Sequence, residues 1–306
     1  MLLPQRLVKG DTIGIIAPAG PVNQFNLKRA LPFFEKMGLH VRLGKNIEKV
    51  HGYLAGTDEE RLNDLHEMIA DSAIKAIFFA RGGYGTGRIA SDIDYDLIKR
   101  NPKVLWGYSD ITYLHNAIHQ VTGLVTFHGP MPASDMGKDD FHELSIKQFE
   151  QLFKPTTLVY SEAISSIEVL NQGAATGPVV GGNLSLLASS IGTPFEVDTK
   201  NKILLIEDVD EVPYKVDGML NQLRQAGKLA ELTGILVGDF SNAAPRNGKP
   251  SLSLKEVYRD YFGSLAIPVM SGFKIGHCQP HYAIPLGVNA KMSTNDKIVR
   301  FEPGVQ

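Results

Sequence analysis

In "VLWGYSDIT", residues 104–112, an apolar run passes through Gly107 and Tyr108 to Ser109, then to Asp110 and a helix-like segment. A strand, a tight turn and a helix in that order can form a nucleophile elbow, which lifts a serine hydroxyl above the sheet. The first turn of the following helix leaves backbone N–H groups unpaired, that of Asp110 among them. Its dipole favours a developing negative charge. The usual hydrolase elbow has glycine two places before and two places after the serine. Gly107 meets the first condition, and Ile111 stands at the second. On local pattern alone, Ser109 or Asp110 serves equally as a helix N-cap.

A second segment, "ARGGYGTGR" (80–88), places glycine at 82, 83, 85 and 87. Glycines permit positive φ and close backbone approach. Such a loop can cradle phosphate, complete an oxyanion hole with a backbone N–H, or simply turn the chain from strand to helix. The lysine and Ser/Thr of a P-loop are absent, and the spacing is a poor dinucleotide fingerprint.

A hydroxyl nucleophile needs a base, and the base needs a group to orient it. Among nine histidines, His115 and His119 lie one helical turn apart in "HNAIH", which reads as a partly exposed helix face and lacks the glutamate of a zinc-protease motif. His128 follows a strand in "FHGP". His277, in "KIGHCQPH", follows a glycine in a loop, with His281 close by. For the acid, "LLIEDVDE" sets Glu207 and Asp208 at the mouth of an apolar strand, with Asp210 and Glu211 beyond. These acids read as a solvated strand end, as orienting carboxylates or as a cation site. Cys278 neighbours His277, but adjacent side chains usually point apart.

The elements that must position these groups alternate in the first half. Strands are expected at 11–20, 40–45, 103–110 and 124–130, and 75–88 is expected as a strand running into the glycine-rich loop. Helices are expected at 24–38, 57–71 and 110–123. Thr57 and Glu60 form a capping box for the second helix, and Pro32 interrupts the first or sits near its end. This alternation implies βαβ units in a doubly wound α/β sheet, with sites beyond the carboxyl ends of the strands. After about residue 153 the chain turns rich in Thr, Ser, Gly and Val. Strands at 201–211 and 233–240, a helix at 214–229 and a tail hairpin suggest a smaller β-rich domain. The expected division is an N-terminal domain over 1–155, a linker over 156–169 and a C-terminal domain over 170–306.

Composition narrows the chemistry. A chain of 306 residues with 43% hydrophobic and 21% charged residues is ordinary for a globular protein of two domains. The formal net charge of −2 gives no basic excess for nucleic acid or an anionic membrane. The single cysteine, Cys278, rules out an intrachain disulfide and a multi-cysteine zinc site. No run reaches the roughly 20 apolar residues of a membrane helix, and no secretory signal is evident, so a cytoplasmic location is expected.

Seven segments occur together in order: "DTIGIIAPAGPV", "ARGGYG", "GYSDIT", "FHGPM", "GGNLSLL..SIGTPFEVD", "LLIEDVDEVPYKVDGMLNQL" and "IGHCQP…IPLG". In this the chain resembles the LD-carboxypeptidases, serine peptidases also called muramoyltetrapeptide carboxypeptidases and grouped with the microcin C self-immunity peptidases. The resemblance covers nearly the whole chain. It implies Ser109 as nucleophile, Glu207 as acid and His277 as base, with backbone N–H groups of Asp110 and Gly83 as oxyanion donors. It implies a flavodoxin-like N-terminal domain, a smaller β-rich C-terminal domain, a homodimer, and neither metal nor cofactor. The implied substrate is a murein tetrapeptide, cut at the L,D bond to release terminal D-alanine during wall recycling. Arg81, beside the glycine loop, is a candidate for the terminal carboxylate. Three other readings compete: an immunity peptidase acting on a peptidyl-nucleotide, a non-catalytic peptide-binding protein, and a nucleotide-binding protein using the glycine loop. The lone tryptophan, Trp106, sits in the strand before Ser109, which weighs against a cleft that stacks a nucleotide base.

Overall fold

The structure, a computed structural model, describes residues 1–245 and 250–306. Two compact units emerge: one of residues 1–156, 279–287 and 303–306, the other of residues 157–278 and 288–302.

The first unit is built on a six-stranded sheet. Its strands are β1 (Thr12–Ile16), β2 (His40–Leu43), β3 (Ile74–Phe79), β4 (Val104–Gly107), β5 (Thr126–His128) and, from much later in the chain, one at Ile284–Leu286. The first five run parallel in the order β2-β1-β3-β4-β5, and the sixth adds antiparallel to β5. This is the flavodoxin-like order, whose switch point lies between β1 and β3. Buried on both faces, β4 is a continuous apolar run and β3 is one from Ala76 to Phe79, whereas the edge strand β2 is largely exposed. The connecting helices are α1 (Gln24–Lys36), α2 (Asp58–Ala70), α3 (Thr86–Ile89), α4 (Tyr95–Arg100), α5 (Thr112–Thr122) and α6 (Glu143–Lys147).

Local chemistry explains several of these elements. The Thr57–Glu60 capping box is formed at the start of α2. Pro32 neither interrupts α1 nor ends it: the helix runs through it, with Leu27, Ala30 and Phe34 holding the buried face. One side of the sheet is filled by rings, Trp106 stacking on Phe149 at 4.6 Å between centroids with Phe78 and Phe127 around it. The other side holds Leu65, Ile69, Ile77, Phe79, Leu114 and Ile118.

The second unit is organised by eight strands. Before the sixth strand of the first sheet come β6 (Leu158–Tyr160), β7 (Glu168–Asn171), β8 (Ala174–Asn183), β9 (Ile203–Val209), β10 (Gly234–Ser241) and β11 (Val269–Ser271). The Ile284–Leu286 strand is therefore β12, and β13 (Asn289–Ser293) and β14 (Ile298–Phe301) follow it. The sheet order is β6-β14-β13-β8-β9-β10-β11-β7, with a parallel centre of β8 to β11 and antiparallel flanks. The tail hairpin is β13–β14. Helices α7 (Leu184–Ser190), α8 (Pro213–Gln225) and α9 (Leu254–Phe262) bury Leu187, Leu220, Leu223 and Phe262 against Leu204, Ile206 and Ile235. Residues 156–169, expected as a linker, contain β6 and the start of β7. Residues 279–287 and 303–306, expected in the C-terminal domain, pack with the first unit.

Candidate active site

Parallel strands send all their carboxyl ends to one edge of the sheet. On that edge of the first unit, β4 ends at Gly107 and the chain turns sharply. Ser109 has φ of 65°, a left-handed conformation rare for a residue with a side chain. A serine held there, at the first residue of a 3-10 turn leading into α5, has the backbone of an elbow rather than of an ordinary N-cap. Space explains the glycine before it: a methyl at Gly107 would meet Phe79 at 3.0 Å and Ile111 at 3.2 Å.

The glycine loop crosses directly over this turn. A methyl at Gly82 would lie 2.8 Å from both Cβ and Oγ of Ser109 and 3.4 Å from the Asp110 nitrogen. Gly83, exposed with φ of 124°, packs its backbone against Gly20 of the loop after β1. The structure thus brings Ser109, Asp110 and the 82–83 backbone together. Arg81 lies at the loop's start. Its Nε donates to the Gly82 carbonyl at 3.2 Å and its Nη1 to the Pro21 carbonyl at 2.9 Å.

Glu207 and His277 meet in the second unit. Glu207 is fully buried near the end of β9, and its Oε2 accepts from His277 Nδ1 at 2.8 Å. The histidine loop is fixed from behind: Ser241 donates to the His277 carbonyl at 2.7 Å, and Asp239 N–H to that of Ile275 at 2.9 Å. Two glycines make the room. A methyl at Gly276, where φ is 125°, would lie 2.6 Å from Glu207 Oε2, and one at Gly238 would lie 2.4 Å from the Ile275 carbonyl.

The other candidates go elsewhere. Asp208 accepts from Asn183 Nδ2 at 3.0 Å and from the N–H and Oγ of Ser185, both at 2.8 Å. Burial, followed by the neighbouring Glu207 charge, pushes its carboxyl above the usual range. Asp210 binds Asn242 at 2.9 Å. The backbone N–H of Cys278 donates to the Gly276 carbonyl at 2.9 Å. His115 is buried rather than on a partly exposed face, with Nε2 on the Gly107 carbonyl at 2.8 Å. His119 reaches the Leu124 carbonyl at 3.0 Å. His128 and His281 are buried against each other at 3.2 Å. Among the described residues no group of three or more His, Cys, Asp or Glu comes together as a metal site, and no helix is long and apolar enough to cross a membrane. Sequence reading did not single out Gly82, Gly238 or Gly276 for their closeness to the reactive groups. Gly82 and Gly276 carry the signal of standing next to a candidate, and Gly238 carries none in the sequence.

The first unit thus holds a serine at a left-handed turn on a flavodoxin-like sheet, and the second holds a carboxylate–imidazole pair on its own α/β sheet; these are residue types that hydrolases use. The chain belongs to the LD-carboxypeptidase family: residues 13–129 match its N-terminal domain and residues 176–292 its C-terminal domain. The "Probable murein peptide carboxypeptidase" of Bacillus subtilis is 55% identical over 99% of this chain and 95% of its own length. The murein tetrapeptide carboxypeptidase of Pseudomonas aeruginosa is 31% identical over 92% of this chain and 93% of its own. Among solved structures, MccF in complex with glutamyl sulfamoyl guanosine superposes with a TM-score of 0.90 at 25% identity, covering 99% of this chain and 98% of that one. The muramoyltetrapeptide carboxypeptidase of Oxalobacter formigenes gives 0.85 at 29% identity, covering 95% and 97%.

Proposed function

We propose that this protein is a serine carboxypeptidase that releases terminal D-alanine from murein tetrapeptides by hydrolysing the L,D peptide bond. The observation that carries the reading is the 2.8 Å bond from His277 Nδ1 to the fully buried Glu207. A carboxylate on Nδ1 fixes the tautomer, leaves Nε2 as the base and stabilises the imidazolium that forms. Ser109, at its left-handed turn, is the nucleophile. The names of the Bacillus and Pseudomonas relatives support the murein peptide as substrate.

In the first half-reaction His277 Nε2 takes the Ser109 proton as Oγ bonds to the scissile carbonyl carbon. The N–H groups of Asp110 and Gly83 receive the oxyanion, each worth about 3 kcal/mol. The tetrahedral adduct collapses, the C–N bond breaks, and D-alanine leaves with the proton from His277. Water then attacks the acyl ester with His277 again as base, freeing the tripeptide and Ser109. Arg81, with Nε and Nη1 tied to backbone carbonyls, offers Nη2 to the terminal carboxylate.

The MccF likeness favours a second reading, cleavage of an aminoacyl or peptidyl nucleotide. Against it, Trp106 is fully buried and donates to the Pro130 carbonyl at 2.8 Å, so it offers no face to a base. One assay separates the two. L-Ala–D-Glu–meso-diaminopimelate–D-Ala and an acyl sulfamoyl adenosine are supplied in parallel, and D-alanine and free amino acid are measured. D-Alanine release that disappears in Ser109→Ala is expected. Equal release by both proteins, or turnover of the nucleotide alone, would overturn the proposal.

A further inference from the structure

Four glycines in six positions make the 82–87 segment conformationally permissive, and an oxyanion hole works only if one particular peptide points inward. Something must select that shape, and the structure shows a hub at Gly85. Its φ is 126°, and a methyl there would lie 2.5 Å from Leu54 and 2.8 Å from Arg61. The Gly85 carbonyl accepts from Arg61 Nη1 at 2.9 Å. The same guanidinium, whose side chain is wholly buried, also donates to the Pro18 carbonyl in the loop after β1 and to Asp58. Asp58 is held in turn by Arg88, with Nε at 3.0 Å and Nη2 at 2.8 Å.

From the other side comes Asp110, the residue after the proposed nucleophile. Its buried carboxylate accepts the Thr86 N–H at 2.9 Å, and its carbonyl accepts Thr86 Oγ–H at 2.6 Å. Burial raises the Asp110 carboxyl, opposed by hydrogen bonds from Thr86, the N–H of Gly85 and the charge of Arg61. The loop is therefore gripped at Thr86, through its N–H and hydroxyl, by Asp110 and at the Gly85 carbonyl by Arg61.

We propose that the Asp110 carboxylate and the Arg61 guanidinium are positioning residues that lock the 81–86 loop in the one shape that presents the Gly83 N–H to the acyl group on Ser109. The inference rests on the serine peptidase reading for its catalytic consequence, but the lock itself is a property of the loop. Thr86 is the hinge pin, since its hydroxyl and its N–H both close on Asp110.

The test compares wild type with Asp110→Asn, Thr86→Val and Thr86→Ser, following D-alanine release and amide hydrogen exchange over residues 82–87. Asp110→Asn should lower kcat by about 10–100-fold with KM changed less than about twofold, because the interaction lost acts in the transition state. Thr86→Val should lower kcat by about tenfold and speed exchange of the loop amides by a similar factor. Thr86→Ser, which keeps the hydroxyl, should restore both to within about twofold. If Asp110→Asn does not fold, the Val/Ser pair decides. Unchanged loop exchange in Thr86→Val overturns the lock, whatever the substrate. Faster exchange with unchanged kcat overturns its role in catalysis. A wild type that releases no D-alanine sinks the peptidase reading instead and leaves the exchange measurement to judge the lock.

Discussion

Gly276 shows how little freedom a single position near the Glu207–His277 pair has. Any side chain there would meet Glu207 Oε2 at 2.6 Å and its Cβ at 2.9 Å, in a backbone conformation that L residues rarely adopt. Gly276→Ala must therefore push either the carboxylate or the imidazole aside. An error of about 1 Å in a catalytic group can cost about 100-fold, so kcat for D-alanine release should fall by at least about that factor. Circular dichroism should show the fold intact; a variant with wild-type kcat would break the link between this glycine and the pair. At this scale the sequence displayed the right types without choosing among them. Glu207, Asp208, Asp210 and Glu211 share one strand end, and His277 competes with eight other histidines. What selects Glu207 is contact with a residue 70 positions away, which local pattern does not encode. Only the ordered run of seven segments pointed to that pairing.

Helix α5 carries a different lesson. Its HNAIH spacing predicts a histidine face towards solvent, yet His115 is buried and hydrogen-bonded to Gly107, two residues before Ser109. Burial first, and the nearby His128 last, push the His115 imidazole down to about 3 from its ordinary 6.5, against the opposing pull of the Gly107 carbonyl. The imidazole is thus neutral in the folded protein. Between those two values the unfolded chain binds a proton that the folded chain does not, so stability falls as pH drops through that window. The slope approaches about 1.4 kcal/mol per pH unit. His115→Gln can still donate to Gly107 but cannot titrate. Denaturant unfolding at pH 7 and pH 4.5 should show wild type losing about 2 kcal/mol more than the variant; equal losses would contradict a buried neutral imidazole. The elements read well where local signals agreed, as in the capped α2 and the apolar β1. Helix α9 went unread although Ser253 and Glu256 close a capping box there. The ten-residue β8 was obscured by its glycines at 177, 181 and 182, because glycine erases the alternation that marks a strand.

For the whole molecule, the unexpected feature is that the first unit is discontinuous. The sequence reading ended its N-terminal domain at residue 155, since nothing in "HYAIPLG" announces a strand belonging to a sheet begun 270 residues earlier. Strand β12 nevertheless pairs with β5 through Ile284, Pro285 and Leu286. Gln306 is tied back to the first unit as well, with its N–H on the Pro4 carbonyl at 3.1 Å and the Arg6 N–H on its carbonyl at 3.0 Å. A fragment ending at Thr156 would lack that edge cover, and an uncovered strand edge is a template for pairing with other chains. Such a fragment should self-associate in size-exclusion chromatography with light scattering. The intact chain should not share this β5-edge association, and a monomeric 1–156 fragment would argue that β12 is dispensable. The same feature sets a clock on biosynthesis. Translation from His128 to Ile284 takes roughly 8–30 s at about 5–20 residues per second. Throughout that interval the β5 edge of the nascent sheet has no β12 to pair with, and it stays open to other strands until residues 284–286 emerge.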